Sequence, residues 1–553
     1  MVRMSAPLPP RSIARVVLVI VGLVALAWLN RFMQDDAFIS FRYARNLAEG
    51  HGLVWNPGET PVAGYSTFLW TMLIAGLIRL GADPVVGSWV LGLALCAGTL
   101  VLTWRLAGDL RGDQAAEVDA LWVVVLLGTN YTFSAWATGG METQLQAFLV
   151  TAATLLTFRA TGAPEPLRIA TLVLTSLSYG LLLMTRLDSA VVVVVLAMLG
   201  LLSLARKTTG QPLRLVGGAL ALALPGVLAV GGWLVWAYGY YGDVLPNTYY
   251  VKVATSTSTV GGIHYIYRFL AEYWFVPLGL LLMALRPGGC IRAFLRPADR
   301  RVMALLVVLL AWSFYVVRTG GDFMEFRFVV AVLPLLLVWL WRGVTIVVPE
   351  RHVRFAVVLV LVAGSFIHAV TFRGSLFGIE SIDAIAVHMR EEGGAWDEVG
   401  KSLGRYFGGP GSDVSLAVAA AGAIPYFSGL RSVDMRGLND RWVARHGHVV
   451  GNTPGHQRMA SFGYLADRRV TLVVGHPQVR ARHDPLPSFL TIDALHKFGL
   501  IDATEALIPE GGCFLAVPVG ESLRVTVLYL TRNAGVDAAI AAGGLEVIPL
   551  RRR

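Results

Sequence analysis

The chain has 553 residues, of which 55% are hydrophobic and only 15% charged, with a mean hydropathy of +0.62. A soluble domain carries about a quarter charged residues, so soluble multidomain, disordered, collagen-like and coiled-coil classes are excluded and a polytopic membrane protein remains. The net charge of +10 is accounted for by basic cytoplasmic loops without nucleic acid, and Cys96, Cys290 and Cys513 lie too far apart in sequence to suggest a disulfide framework or a metal cluster.

In chain order, Arg3, Arg11 and Arg15 precede an apolar run, Val16–Leu29. No small-residue cleavage site follows it, so it reads as an uncleaved first span with a cytoplasmic N-terminus. Segments of spanning length follow at Val85–Ala107, Ala120–Thr138, Thr143–Phe158, Ile169–Met184, Ser189–Ala205, Leu213–Ala237, Tyr273–Leu285, Val302–Val317, Phe328–Trp341 and Phe355–Val370. The loops carrying Arg105/Arg111, Arg159/Arg168, Arg206/Lys207/Arg214, Arg286/Arg292/Arg296/Arg300/Arg301 and Arg342/Arg351/Arg354 are basic, which places them inside. That alternation makes Tyr65–Leu80 an external juxtamembrane helix and predicts about 11 spans. Asp35–Gly64, Gly139–Glu142, Arg186–Asp188, Tyr238–Tyr267 and Arg318–Arg327 are then external, as is the tail after Val370.

The tail alternates strand-like runs (Val414–Ala419, Val470–Val474, Phe514–Val517, Val525–Tyr529) with helical stretches such as Ile382–Glu392 and Ile492–Phe498, punctuated by Gly and Pro. The expected organisation is a transmembrane unit over residues 1–372 and a periplasmic α/β domain over 373–553.

The external loops concentrate charge at a membrane edge. Asp35 and Asp36 open an amphipathic run with Phe38, Ile39, Phe41 and Leu47 on one side and Arg42 and Arg45 three residues apart. A desolvated carboxylate there suits a general base; equally, Asp at a helix start is a cap. The aromatic, turn-rich stretch around Trp55, Asn56 and Tyr65 fits either a sugar-stacking loop or an interfacial aromatic belt. Glu142, the Arg186/Asp188 pair and the Gly320–Arg327 segment with Asp322 are functional candidates by their place at span ends, against a solvated-turn alternative. Asn247, Tyr250 and Lys252 close another aromatic external stretch. Walker, dinucleotide-binding and zinc motifs are absent from the sequence.

Five motifs stand in order over residues 30–330: Asp-Asp-Ala-Phe-Ile-Ser-Phe-Arg-Tyr-Ala-Arg-Asn-Leu, Gly-x-Gly-x-Val-x-Asn-Pro-Gly-Glu, Gly-Gly-Met-Glu-Thr, Tyr-Tyr-Gly-Asp-x-x-Pro-Asn-Thr-x-Tyr-x-Lys and Gly-Gly-Asp-Phe-Met. Together they resemble the GT-C membrane glycosyltransferases of the terminal β-(1→2)-arabinofuranosyltransferase family. The resemblance implies a polyprenyl-phospho-sugar donor, a glycan acceptor outside the cytoplasmic membrane, and a carboxylate in the first external loop. It does not specify the sugar, arabinofuranose being one candidate.

The expected protein is thus a polytopic α-helical membrane glycosyltransferase of GT-C type, with active site and C-terminal α/β domain on the periplasmic side of the inner membrane. Asp36, with Asp35 beside it, is the expected catalytic carboxylate. Arg42, Arg45, Lys252 and Arg327 are the candidates for the phosphate. Glu142, Arg186, Asp188, Asn247, Tyr250 and Asp322 are the other substrate-binding candidates. No cofactor is required, and a divalent ion at the Asp pair is compatible with the sequence. The competing readings are a lipid-linked sugar transporter and a non-catalytic protein of envelope or flagellar-motor assembly.

Overall fold

A computed structural model describes residues 10–111, 116–162, 168–253, 258–294, 300–375, 378–451, 453, 455–504, 507–508 and 512–551. The charge readings at Arg3 and Arg296 fall outside the described residues, as do the side chains of Arg11, Arg111, Lys252, Arg292 and Arg300.

Most predicted spans fall on single helices, but Ala120–Thr138 is divided between Ala116–Gly128 and Tyr131–Ala135, and Phe328–Trp341 between Arg327–Val330 and Leu333–Val347. Five helices are long and apolar enough to cross a membrane: Pro84–Leu110, Leu187–Lys207, Pro212–Tyr241, Arg301–Arg318 and Arg351–Thr371. A sixth crossing is available if Thr259–Glu272 and Phe275–Ala284, bent by 78°, form one broken span. Ile13–Leu29, Asp119–Gly128, Ile169–Thr185 and Leu333–Val347 are apolar but shorter, and Thr143–Gly162 is a further helix. Length and composition thus support five or six crossings among the described residues, fewer than the expected count of about 11. Large apolar side chains such as Leu18, Val21, Leu213, Leu228 and Phe314 stay exposed on these helices, as lipid-facing surfaces do. Helices Ile169–Thr185 and Pro212–Tyr241 meet at small residues. A Cβ on Gly226 would lie 2.4 Å from the Ser176 carbonyl, and the Gly226 N–H donates to Ser176 Oγ at 2.9 Å. Close packing of this kind substitutes for a hydrophobic drive between helices in lipid.

Contacts at the helix ends sort the loops onto two edges. On one, Arg159 pairs with Asp109 at 3.2 Å, Arg354 with Asp119 at 3.3 Å, and Lys207 Nζ donates to the Ala160 carbonyl at 3.4 Å. On the other, the loops around Asp35, Glu142, Arg186, Asn247 and Asp322 gather beneath the tail. Helix Phe68–Arg79 has only 12 residues, about 18 Å at 1.5 Å per residue, well short of a bilayer core. Both its flanks lie on the tail side: Trp70 Nε1 donates to the Gly140 carbonyl at 3.0 Å, and Asp83, just past its end, acts electrostatically on Tyr426 of the tail.

The tail is built on strands β1 Ser415–Val418, β2 Arg431–Asp434, β3 His448–Val449, β4 Arg458–Met459, β5 Leu472–Ala481, β6 Cys513–Val519, β7 Leu523–Tyr529 and β8 Glu546–Pro549. Six form one sheet, ordered β2-β1-β5-β7-β6-β8, and β3 pairs with β4 separately. The β2-β1-β5 half is parallel, the rest antiparallel. Alternation sets the two faces. Leu416, Val418, Leu472, Val474, Leu515, Val517 and Val527 join the core continuous with the membrane helices. Ala417, Val433, Val473, Phe514, Ala516 and Leu528 line a second core with Phe462 and Leu495. The carboxyl ends of β1 and β2 point their following loops at the membrane unit, the edge where open α/β sheets commonly present sites.

Candidate active site at the tail–membrane edge

The first loop leaves helix Pro10–Leu29 and is pinned at once: Phe32 N–H donates to Thr138 Oγ1 at 3.3 Å and Gln34 N–H to the Gly139 carbonyl at 3.3 Å. Gly140 takes φ +78°, and a Cβ there would meet Ala37 Cβ at 2.7 Å, so only glycine lets the two motifs close on each other.

Asp35 is buried, and its carboxylate accepts the N–H of Ala423 at 2.7 Å and of Gly422 at 3.2 Å. It caps tail helix Ala423–Ser428, while Gly422 packs so closely that a Cβ would collide with the Asp35 backbone. Burial, reinforced by the neighbouring Asp36 charge and opposed by the two N–H donors, pushes its pKa up to about 7. Asp36 stands at the N-cap position of helix Ala37–Ala48 but makes no side-chain capping bond. It is half-buried, and its charge reaches Glu380, whose own pKa is raised by burial first and by Asp36 second. The two adjacent carboxylates therefore diverge as neighbours on a helix start must: one into the tail, one along the junction.

Arg42 is also turned into the tail. Nε donates to the Trp55 carbonyl at 2.8 Å, Nη2 to Asn56 Oδ1 at 3.0 Å and to the Leu430 carbonyl at 2.9 Å, and Nη1 to the Pro425 carbonyl. Its guanidinium lies 4.6 Å from the Trp55 ring. Arg45 donates to the Tyr426 carbonyl at 3.0 Å and sits over its ring. Both arginines read from the sequence as phosphate cations thus hold the junction.

The remaining charges meet around two further arginines. Arg186 Nη1 donates to Glu142 at 2.7 Å and Nη2 to Asp188 at 2.6 Å, with Tyr315 Oη on Asp188 at 3.1 Å. Arg327 Nε and Nη2 each reach Asp322 Oδ2 at 2.8 Å. Its Nη1 faces Met141 Sδ at 3.5 Å, a weak acceptor. Both guanidiniums lie over the Phe328 ring, and Gln34 Nε2 approaches Met324 Sδ at 3.8 Å. Asp35, Asp36, Glu142, Arg186, Asp188, Asp322 and Arg327 consequently form one neighbourhood.

Asn247 and Tyr250 belong to another corner. Asn247 Nδ2 donates to the carbonyls of Gly437, Leu438 and Asp440 at 2.7–3.1 Å. Tyr250 donates to Asp243 at 3.1 Å beneath the Arg445 guanidinium. Lys252 lies in the same helix, Asn247–Val253, with its side chain outside the described residues. Among the described residues no group of three or more His, Cys, Asp or Glu side chains is disposed to hold a metal ion.

Sequence reasoning passed over Glu380, Gln34, His368 and Glu272. Glu325 it quoted only as part of a motif. Glu380 belongs to the tail by sequence but pairs with the 323–325 segment: Met324 and Glu380 bridge as parallel strands, and Glu380 N–H donates to the Phe323 carbonyl at 2.7 Å. Only that chain return reveals it.

A family model described as a domain of unknown function, DUF8728, matches residues 384–510. The terminal β-(1→2)-arabinofuranosyltransferase of Mycobacterium tuberculosis is 31% identical over 347 residues, 56% of this chain and 52% of that protein. The protein of the same name from Corynebacterium glutamicum is 30% identical over 378 residues, 62% of this chain and 52% of its own. The chain spans about half the length of these curated relatives. In three dimensions it resembles ArnT from Cupriavidus metallidurans bound to undecaprenyl phosphate, with a TM-score of 0.56 and 12% identity over 94% of this chain and 98% of that one. By sequence the chain resembles the terminal β-(1→2)-arabinofuranosyltransferases, and by its architecture it is a polytopic helical membrane protein that shares the fold of ArnT.

Proposed function

We propose that this chain is an integral-membrane glycosyltransferase that moves a sugar, a pentose such as arabinofuranose in the first instance, from a polyprenyl-phosphate donor to a glycan acceptor. The reaction runs on the outer face of the cytoplasmic membrane, between a transmembrane unit ending near residue 372 and the α/β tail. The single observation that carries this reading is the convergence of Asp36, the Glu142–Arg186–Asp188 cluster and the Asp322–Arg327 pair at one membrane edge beneath the tail.

A lipid-linked phosphosugar presents an anion at the membrane surface and loses that phosphate on transfer. Arg327, whose Nη1 faces the weakly accepting Met141 thioether, is the best-placed cation for the departing phosphate. Asp322 holds its guanidinium in plane, and Arg186 adds a second positive charge fixed by Glu142 and Asp188. Arginine suits the task because its planar fork matches phosphate oxygens. Asp36 takes the proton from the acceptor hydroxyl as the oxygen attacks the anomeric carbon and the carbon–phosphate oxygen bond breaks. A single displacement inverts that carbon.

The orientation is supported by the gathering of Arg159, Lys207 and Arg354 on the edge opposite the tail. The name of the ArnT structure, which includes undecaprenyl phosphate, supports the donor class. The test is transfer of labelled sugar from a panel of polyprenyl-phospho-pentoses and -hexoses to oligosaccharide acceptors by the purified protein. Product that disappears with Asp36→Asn is the expected result. Failure of folded protein to transfer from any donor overturns the reading.

A further inference from the structure

The loop bearing Asp322 and Arg327 is anchored by a partly buried chain of ionisable side chains that the reaction itself does not use. Glu325 is 1% exposed. Its Oε1 accepts from Thr132 Oγ1 at 2.9 Å and lies 3.1 Å from His368 Nε2. Its Oε2 accepts the Ile382 N–H at 2.9 Å, at the start of tail helix Ile382–Ala386. Its backbone is committed as well: the N–H donates to the Glu380 carbonyl at 3.0 Å, and the carbonyl accepts from Trp136 Nε1 at 2.9 Å. One residue thereby ties together the catalytic-edge loop, the segment following Asn130, the last span and the first turn of the tail.

His368 closes the other side. It is buried in the last turn of helix Arg351–Thr371, between Tyr273 and Phe372, with ring centroids at 4.4 and 5.0 Å. Its Nδ1 faces Glu272 Oε2 at 3.1 Å, and Glu272 is paired in turn with Arg268. Both ring nitrogens face carboxylates, and Glu272 meets Arg268 in turn, so basic side chains and carboxylates alternate along the chain. Burying ionisable groups is costly unless each is matched; Glu325 and His368 are buried while Glu272 and Arg268 are half-buried, and Glu325 lies three residues from Asp322 and two from Arg327.

We propose that Glu325 and His368 are positioning residues: their buried bridge, extended by Glu272 and Thr132, fixes the Asp322–Arg327 pair against the tail and so sets recognition of the donor phosphate. The inference rests on the glycosyltransferase reading for its kinetic arm, while hydrogen exchange reads the bridge independently of activity. His368→Gln keeps a polar side chain but cannot meet both carboxylates as the two ring nitrogens do. It should raise amide exchange over residues 320–327 and 380–386 by about tenfold, the size of one lost buried hydrogen bond. It should also raise KM for the lipid donor by about tenfold with kcat little changed, and the same substitution should add less than about twofold in an Asp322→Asn background, since coupled residues do not add. Thr132→Val and Tyr273→Phe, milder changes, should move both readouts in the same direction and carry the test if His368→Gln fails to fold. Unchanged exchange in the folded variants overturns the proposal, as does a KM effect that multiplies independently with Asp322→Asn. If the wild-type protein transfers no sugar, the glycosyltransferase reading fails and exchange alone decides whether the bridge holds the loop.

Discussion

The carboxylate of Asp35 accepts the Ala423 N–H at 2.7 Å, which fastens the residue after the first span to a tail helix 388 positions away. Asp36, one residue on, makes no such cap. Two identical side chains in sequence are thus given two environments by the tertiary contact of one of them.

This division predicts opposite results for one substitution at adjacent sites. Asp36→Asn keeps volume and removes basicity, so transfer should fall by about 10²–10⁴-fold with donor binding retained. Asp35→Asn should leave transfer within a few-fold. Near-normal turnover by a well-folded Asp36→Asn protein would remove the base from this loop.

Asp35 also predicts a pH dependence. Its pKa rises on folding from 3.8 to about 7, so the folded state binds the proton more tightly than the unfolded one. That contribution is fully present below about pH 4 and is lost as pH rises through about 7. Thermal midpoints in detergent should decline over this window for the wild type, and the part belonging to Asp35 should vanish in Asp35→Asn. An identical slope in both proteins would show that other groups, such as Asp434, whose pKa is also raised by burial, carry it.

Arg186 joins two carboxylates, Glu142 at 2.7 Å and Asp188 at 2.6 Å. Arg186→Met leaves both without their cation, and breaking a buried pair from one side costs about 3–5 kcal/mol. The expected outcome is a large drop in thermal stability, with Glu142→Gln milder. Wild-type stability of Arg186→Met would mean that the cluster is more hydrated than its burial indicates.

Arg42→Lys tests the junction. One ammonium cannot replace a guanidinium that reaches the Trp55, Pro425 and Leu430 carbonyls and Asn56 at once. Limited proteolysis should release the tail faster, while donor KM in the intact protein stays near wild type. A rise in KM without loosening of the tail would return Arg42 to the phosphate site.

Topology is read by impermeant thiol labelling of whole cells. Ala82→Cys and Ala541→Cys should label from outside and Thr209→Cys only after permeabilisation. Protection of Ala82→Cys would make Phe68–Arg79 part of a crossing.

Hydropathy alone placed the helices that carry this fold, because lipid demands long apolar runs whose backbone is satisfied internally. Short strand-like apolar runs likewise marked β1, β5, β6 and β7 in the tail. β2, β3, β4 and β8 escaped: β3 and β4 have two residues each, β2 begins with an exposed Arg431 and β8 is exposed at three of its four positions, so none shows an apolar run like the fully buried β1. The charges of the external loops were legible too, since charge at a membrane edge is rare enough to stand out, whereas Glu380, His368 and Glu272 were not. The tasks of those loop charges were not legible. Arg42 and Arg327 are the same side chain near the same surface, yet one is surrounded by tail carbonyls and the other holds Asp322 with an N–H left toward a thioether. Glu325 and His368 lie 43 residues apart on segments whose local pattern says nothing of each other. Sequence by itself determined which residues are costly to bury, because that follows from composition and periodicity. Only the tertiary structure decided which partner offsets each cost, because hydrogen bonds and ion pairs act over a few ångströms while the chain brings together positions hundreds of residues apart.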